Sequence, residues 1–311
     1  MTEALTPKLF CFGYGYSCDY LGYNLHQGGW KIAGTTRDKD KKAFMKERGI
    51  ETFIFDYQKP LIDPALFLKD VTHLLISTPP GDQGDPTFLM HAEDIIRQPQ
   101  IKWIGYLSST GVYGDHNGDW VDETTEPQPD TKRGSRRLKA EAQWYSLFRS
   151  HDLPVHIFRI AGIYGPGRSA LDSVRAGIAR RIEKPGHVFS RIHVDDIVQV
   201  IFASMNKANP GAIYNLADDL PVPSHEVIGY ACELLGLTPP PIIPFDEADM
   251  APIARSFYKD NKRVRNNKIK EELGVTLKFP DYNAGLRGCL EAEQMASEML
   301  EHDKAGAPAK S

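Results

Sequence analysis

Apolar residues in the first half of this chain come as short runs, each followed by a longer stretch in which they recur every third or fourth position. The runs at 9–12, 30–35, 51–55, 73–77, 103–108 and 155–159 are short and rich in β-branched and aromatic residues, which predicts strands. The stretches at 20–27, 39–48, 86–96 and 134–150 predict helices. Strands alternating with helices predict an α/β fold, a doubly wound parallel sheet with helices on both faces. After Arg159 the alternation loosens, and Pro, Gly and polar residues crowd 162–168, 209–211 and 238–244. Residues 224–235 predict a helix with Val227, Ala231 and Leu234 on one stripe, and Asp195 and Asp196 read as caps of a helix over 197–205. The basic stretch 250–267 reads as a solvated face, and 301–311 as a frayed or disordered end.

A chain of 311 residues, 41% hydrophobic and 25% charged, has the composition of an ordinary globular protein. Its net charge of −4 offers no general attraction to nucleic acid or to an anionic membrane, and neither is expected as a partner. No apolar run reaches membrane-spanning length, and MTEALTPK lacks a secretory pattern. Cys11, Cys18, Cys232 and Cys289 are scattered without a C-x-x-C, so they read as reduced thiols in a cytoplasmic protein, with no metal site.

The first strand runs directly into Gly13-Tyr14-Gly15, a helix follows, and a second strand ends at Thr36-Arg37. That order is the Rossmann unit, which holds a dinucleotide against the amino end of a helix. Gly13 suits the tight turn, and Gly15 lets backbone approach a pyrophosphate beside Tyr16 and Ser17. The third glycine of G-x-G-x-x-G falls at Cys18, which is small enough to keep helix close to strand. At the end of the second strand stand Thr35, Thr36 and Arg37 where a carboxylate would select a free 2′-hydroxyl; a guanidinium beside hydroxyls suits a 2′-phosphate. The expected cofactor is therefore NADP, with NAD as the alternative. Ligands lie beyond the carboxyl ends of such strands, which places Ser77, Thr78 and Pro79 beside the dinucleotide. Asp56 reads either as a partner of the adenine amine or as a plain turn residue.

Four further runs appear in order: YLSSTGVYG at 106–114, RIAGIYGPGR at 159–168, RIHVDD at 191–196 and IYNLA at 213–217. With Gly13–Arg37 they make the chain resemble the extended short-chain dehydrogenase/reductase superfamily, in its atypical branch of NAD-dependent epimerase/dehydratase proteins. The resemblance implies hydride transfer at a nicotinamide, a tyrosine acid or base, a lysine four residues later, and a hydroxyl on the reacting oxygen. It puts Ser109 in the hydroxyl position. The expected Tyr-x-x-x-Lys pair is missing. Taking Glu141 as the family's glutamate and counting back eight residues puts Arg133 at the tyrosine position and Arg137 at the lysine position. A guanidinium stays protonated and cannot cycle as a base. The two arginines read either as a carboxylate or phosphate site, or as surface charges with Arg137 paired to Glu141 at i+4. Tyr113 is the alternative acid or base, although the family's V-Y-G tyrosine is a structural residue. Tyr164, Arg168 and Arg175 are candidates for substrate contacts, with packing the other reading of Tyr164; His193 reads as a hydrogen-bonded core histidine or, as the resemblance implies, as a residue that helps lock the two lobes.

The organisation expected is a sheet domain of residues 1–164 plus about 192–220, a small mixed lobe of about 165–191 and 221–290, and a terminal helix or tail at 291–311, with the strand around 213–215 returning to the sheet. The activity expected is that of an NADP-dependent oxidoreductase or an epimerase/dehydratase-like enzyme acting on a small polar molecule. A catalytically inactive, NADP-binding or redox-sensing protein is the alternative. The resemblance also implies a homodimer through the helices at 86–96 and 134–150.

Overall fold

The computed structural model describes residues 6–306, with side chains described through residue 298. The first half carries β1 (Lys8–Phe12), α1 (Tyr16–Gln27), β2 (Lys31–Thr36), α2 (Lys39–Glu47), β3 (Glu51–Ile54), α3 (Pro64–Phe67), β4 (His73–Ile76), α4 (Pro86–Ile96), β5 (Trp103–Ser109), β6 (Trp120–Val121) and α5 (Lys132–His151). There follow β7 (Val155–Ile160), β8 (Gly162–Tyr164), α6 (Ala170–Arg175), β9 (Arg181–Glu183), β10 (Arg191–His193), α7 (Val194–Asn206) and β11 (Ile213–Leu216). The last elements are α8 (Ser224–Leu234), β12 (Ile242–Pro244), α9 (Pro252–Ser256), β13 (Arg263–Val264), α10 (Asn267–Glu271) and α11 (Tyr282–Gly306).

Seven strands form one sheet in the order β11-β7-β5-β4-β1-β2-β3, and every pairing is parallel. Their near-continuous apolar character follows from burial on both faces: all six residues of β7 and all four of β4 are buried. On one face Leu21 and Leu25 of α1 pack with Ile197 and Ile201 of α7, and on the other Trp144 and Leu147 of α5 pack with Ile95 of α4. The chain leaves β1 toward β2 on one side and later returns to β4 on the other. This reversal opens a crevice beyond the carboxyl ends of β1 and β4.

The smaller C-terminal part gathers around Leu171, Val227, Ala231, Leu286 and Cys289, which bring α6, α8 and α11 together. The parallel pair β9–β12 lies within this part, and the pair β6–β13 ties it to a loop of the sheet domain. Several elements differ from what the sequence pattern predicts. Helix α1 begins at Tyr16 because Gly15, rather than a later residue, is its N-cap. Helix α7 is capped by the His193 ring, which accepts the Asp195 N–H. Asp196 instead accepts the N–H groups of Lys278 and Phe279. Helix α11 continues to Gly306, well into the stretch expected to fray; residues 307–311 lie outside the described residues.

Candidate functional site

The turn between β1 and α1 is built for close backbone approach. Gly13 has φ +81°, and a Cβ there would meet the Ser77 carbonyl carbon and the Thr78 nitrogen at 3.1 Å. Its N–H donates to Thr35 Oγ1 at 2.8 Å, which uses up one of the two hydroxyls near the end of β2. Gly15 is different: a Cβ there would find only the Gly13 carbonyl oxygen, at 3.9 Å, so its outer side is open. No side chain caps α1, and the N–H groups of its first turn have no intrahelical partner. Open space at Gly15 and an uncapped helix start fit a pyrophosphate. Cys18 is buried, its Sγ 3.6 Å from the Gly13 carbonyl, so the missing third glycine leaves helix and strand in contact. Tyr16 reaches across to the smaller part, its hydroxyl donating to the Pro166 carbonyl at 3.0 Å.

At the end of β2, Arg37 is exposed and lies 5.1 Å from the Tyr57 ring centroid. No described carboxylate lies within ion-pairing distance of it. Its neighbour Asp38 is committed to capping α2. Asp56 is exposed and accepts the Gln58 N–H at 3.1 Å, a turn interaction. Thr78 is fully buried with its hydroxyl on Asp85 at 2.8 Å, so it offers the crevice backbone only; Pro79 is exposed and Ser77 half-buried.

A cleft of about 1060 Å³ opens beyond β5 and β7. Strand alternation separates the serines at its floor: Ser108 turns inward to Glu141, and Ser109 lines the cleft. Ser109 Oγ accepts the Gly111 N–H at 3.1 Å, which leaves its own proton to donate. Arg133 and Arg137 both line the cleft from α5. The i+4 pair of Arg137 with Glu141 does not form. Glu141 is buried and takes two nitrogens of Arg159, the nearer at 2.8 Å, while Arg137 donates to the Leu107 carbonyl at 2.6 Å. Arg133 stacks over Phe257 at 4.2 Å and donates to Ser256 Oγ, bridging to α9. Arg168, Arg180, Arg191 and Lys262 line the same cleft, against the carboxylates of Asp249 and Asp260 alone. A chain with net charge −4 thus presents a cationic cleft.

Three of the residues singled out from sequence lie elsewhere. Tyr113 is fully buried, donates to Asn215 Oδ1 at 2.8 Å, and has its phenol pushed up to about 12 by burial; it does not line the cleft. Tyr164 is buried, with its hydroxyl on the Asp281 carbonyl, and serves the packing of α11. Arg175 pairs with Glu293 of α11 at 2.6 Å and does not line the cleft. His193 joins parts, as expected of it: besides capping α7 it lies 3.5 Å from Cys289 and 4.1 Å from the Phe279 centroid, and burial lowers its pKa to about 4.

What the sequence reading missed is the segment 250–267. It is only partly a solvated face: Ile253 and Phe257 are exposed, yet Tyr258, Lys262 and Val264 are buried and all five line the far wall of the cleft. The signal was its apolar residues interleaved with the basic ones.

Residues 92–217 match the NAD dependent epimerase/dehydratase family. Protein YeeZ of Escherichia coli (strain K12) is 27% identical over 287 residues, covering 88% of this chain and 97% of that one. A structure described as a functionally unknown conserved protein from Silicibacter pomeroyi DSS is 50% identical, with TM-score 0.86, over 92% of this chain and 99% of that one. The fold is also that of dTDP-glucose 4,6-dehydratase from Bacillus anthracis str. Ames, solved in complex with NAD, at 17% identity and TM-score 0.75 over 94% of this chain and 98% of that one. Residues 92–217 are thus similar to the NAD dependent epimerase/dehydratase family, and the chain as a whole has the fold of the dehydratase.

Proposed function

We propose that this chain is an NADP-dependent oxidoreductase or epimerase-like enzyme acting on a small anionic substrate. One arrangement carries the reading: the uncapped start of α1 and the arginine-lined cleft with Ser109 share the carboxyl edge of one sheet. Gly13, Gly15, Tyr16, Ser17 and Cys18 would hold the pyrophosphate, with Thr36 and the unpaired Arg37 at a 2′-phosphate. The dinucleotide, when bound, supplies or accepts hydride. Ser109 would hydrogen-bond the reacting oxygen, and Arg133, Arg137 and Arg168 would hold the substrate's anionic group.

The test is a comparison of cofactors. Arg37→Ala should weaken NADPH by about 1–3 kcal/mol and leave NADH nearly unchanged, as expected for one charge-assisted contact. Equal weakening of both would remove the 2′-phosphate reading. Ser109→Ala should cut NADPH oxidation on the order of 100-fold, the cost of one lost donor at a developing oxyanion. A second reading, cofactor binding without turnover, draws on Arg133 and Arg137 standing where the family carries tyrosine and lysine. It predicts NADPH affinity with no oxidation across a carbonyl screen.

A further inference from the structure

The cleft lacks the family's tyrosine, yet one of its walls carries a buried ammonium. Lys262 is 8% exposed and lines the cleft. Its Nζ donates to the Gly114 carbonyl at 2.8 Å and to Asp260 Oδ2 at 3.4 Å. An ammonium has three N–H donors, so one remains for a ligand.

The segment bearing Lys262 is fixed on both sides. The Asn261 carbonyl accepts the N–H groups of His116 and Gly118, and its own N–H donates to Asp115 at 2.8 Å. Its side chain accepts the Val188 N–H and donates to the Gly186 carbonyl. Just beyond, β13 pairs with β6. Lys262 is thereby bound to the very loop that follows Ser109, through Gly114. So many backbone anchors around a side chain of long, flexible stem hold its nitrogen in place, as proton transfer requires.

Asp260 Oδ1 is buried without a hydrogen-bond partner. Asp260 therefore stands beside Lys262 with one carboxylate oxygen still free to take a proton.

We propose that Lys262 is the group that delivers a proton to, or removes it from, the substrate oxygen, with Asp260 beside it as the carboxyl that exchanges protons with it. This rests on the cleft being a catalytic site, as proposed above. The step is a proton transfer alone. An N–H bond of the ammonium breaks and an O–H bond forms on the substrate oxyanion; lysine passes from +1 to neutral and the oxyanion from −1 to neutral. The amine then recovers a proton from the Asp260 carboxyl, and Asp260, whose side chain is partly exposed, recovers one from water. The reverse sequence serves the opposite direction. Burial holds Lys262 below the ordinary lysine range, and Asp260 opposes that shift without cancelling it. Burial raises the Asp260 carboxyl, and Lys262 opposes that in turn. The two therefore sit closer in proton affinity than free side chains would. The other titratable groups facing Lys262 are Asp115 after Tyr113 and His187 between β9 and β10.

The test is a titration of the full chain carrying carbon-13 at the lysine ε-carbons, with the Lys262 signal identified by its disappearance in Lys262→Arg. Lys262 should titrate at lower pH than exposed Lys259. Asp260→Asn should lower it further, since a stabilising negative charge is gone, and Asp130→Asn should do the same to a smaller extent. A Lys262 midpoint equal to that of Lys259 overturns the proposal, as does a midpoint unmoved by Asp260→Asn. If Asp260→Asn does not fold, the wild-type titration alone decides. NADPH binding is measured on the same samples by fluorescence. Failure to bind would sink the reading under Proposed function, whereas a normal Lys262 midpoint with intact binding sinks this one alone.

Discussion

The two ends of the crevice were shaped by different demands. At the β1–α1 turn the ligand would be met by backbone, and backbone tolerates little change. Gly13 has a positive φ and neighbours 3.1 Å from where a side chain would begin, while Gly15 must stay open. Over Ser109 the ligand would be met by side chains: Arg133 and Arg137 from α5 and Lys262 from the far wall. The comparison teaches that one end of the site is dictated by main-chain geometry and the other by side chains brought from separate elements.

The largest effect expected in breaking this comparison comes from the scaffold both ends share. Glu141→Gln leaves Arg159 buried without its carboxylate and should cost about 3–5 kcal/mol, read as a fall in the denaturant midpoint. A change below about 1 kcal/mol would mean that water reaches the pair. Next comes Gly13→Val, which forces a β-branched residue into φ +81° against Ser77 and Thr78. It should destabilise by about 1–3 kcal/mol and abolish dinucleotide binding, whereas Arg133→Ala at the other end should leave dinucleotide affinity within about threefold. If both variants bound NADPH equally well, the two ends would not be separable.

A separate effect is one of pH. Asp218 is buried at the base of the smaller part, near Arg191, and burial pushes its carboxyl up to about 8. The folded state then holds a proton that the unfolded chain releases near pH 4. Stability from this group is therefore full below about pH 4 and is lost as pH rises toward about 8. Asp218→Asn should flatten that part of the stability–pH curve and be relatively more stable at its alkaline end. Unchanged curvature in the variant would show the carboxyl ionised throughout.

The sheet was readable from sequence because parallel strands buried on both faces need unbroken apolar runs, and 9–12 and 155–159 supply them. The β1–α1 turn was readable because its first position, Gly13, has a backbone that favours glycine. The far wall was not. Residues 250–267 alternate basic and apolar side chains without a helical or strand period, and β13 is only two residues long. Their place depends on pairing with β6, more than a hundred residues earlier in the chain, which no local pattern encodes. Tyr113 misled for a related reason: its register in YLSSTGVYG matches the family loop, but its hydroxyl is consumed by Asn215 across the sheet.

The central claim is that the β1–α1 turn and Arg37 together grip a doubly anchored dinucleotide. Calorimetric titration of the wild-type chain with NADPH and with NADH tests it most directly. The account predicts binding of both with NADPH tighter by at least tenfold, the equivalent of about 1.4 kcal/mol. Absence of heat from either nucleotide at millimolar concentration, or tighter binding of NADH, would contradict it.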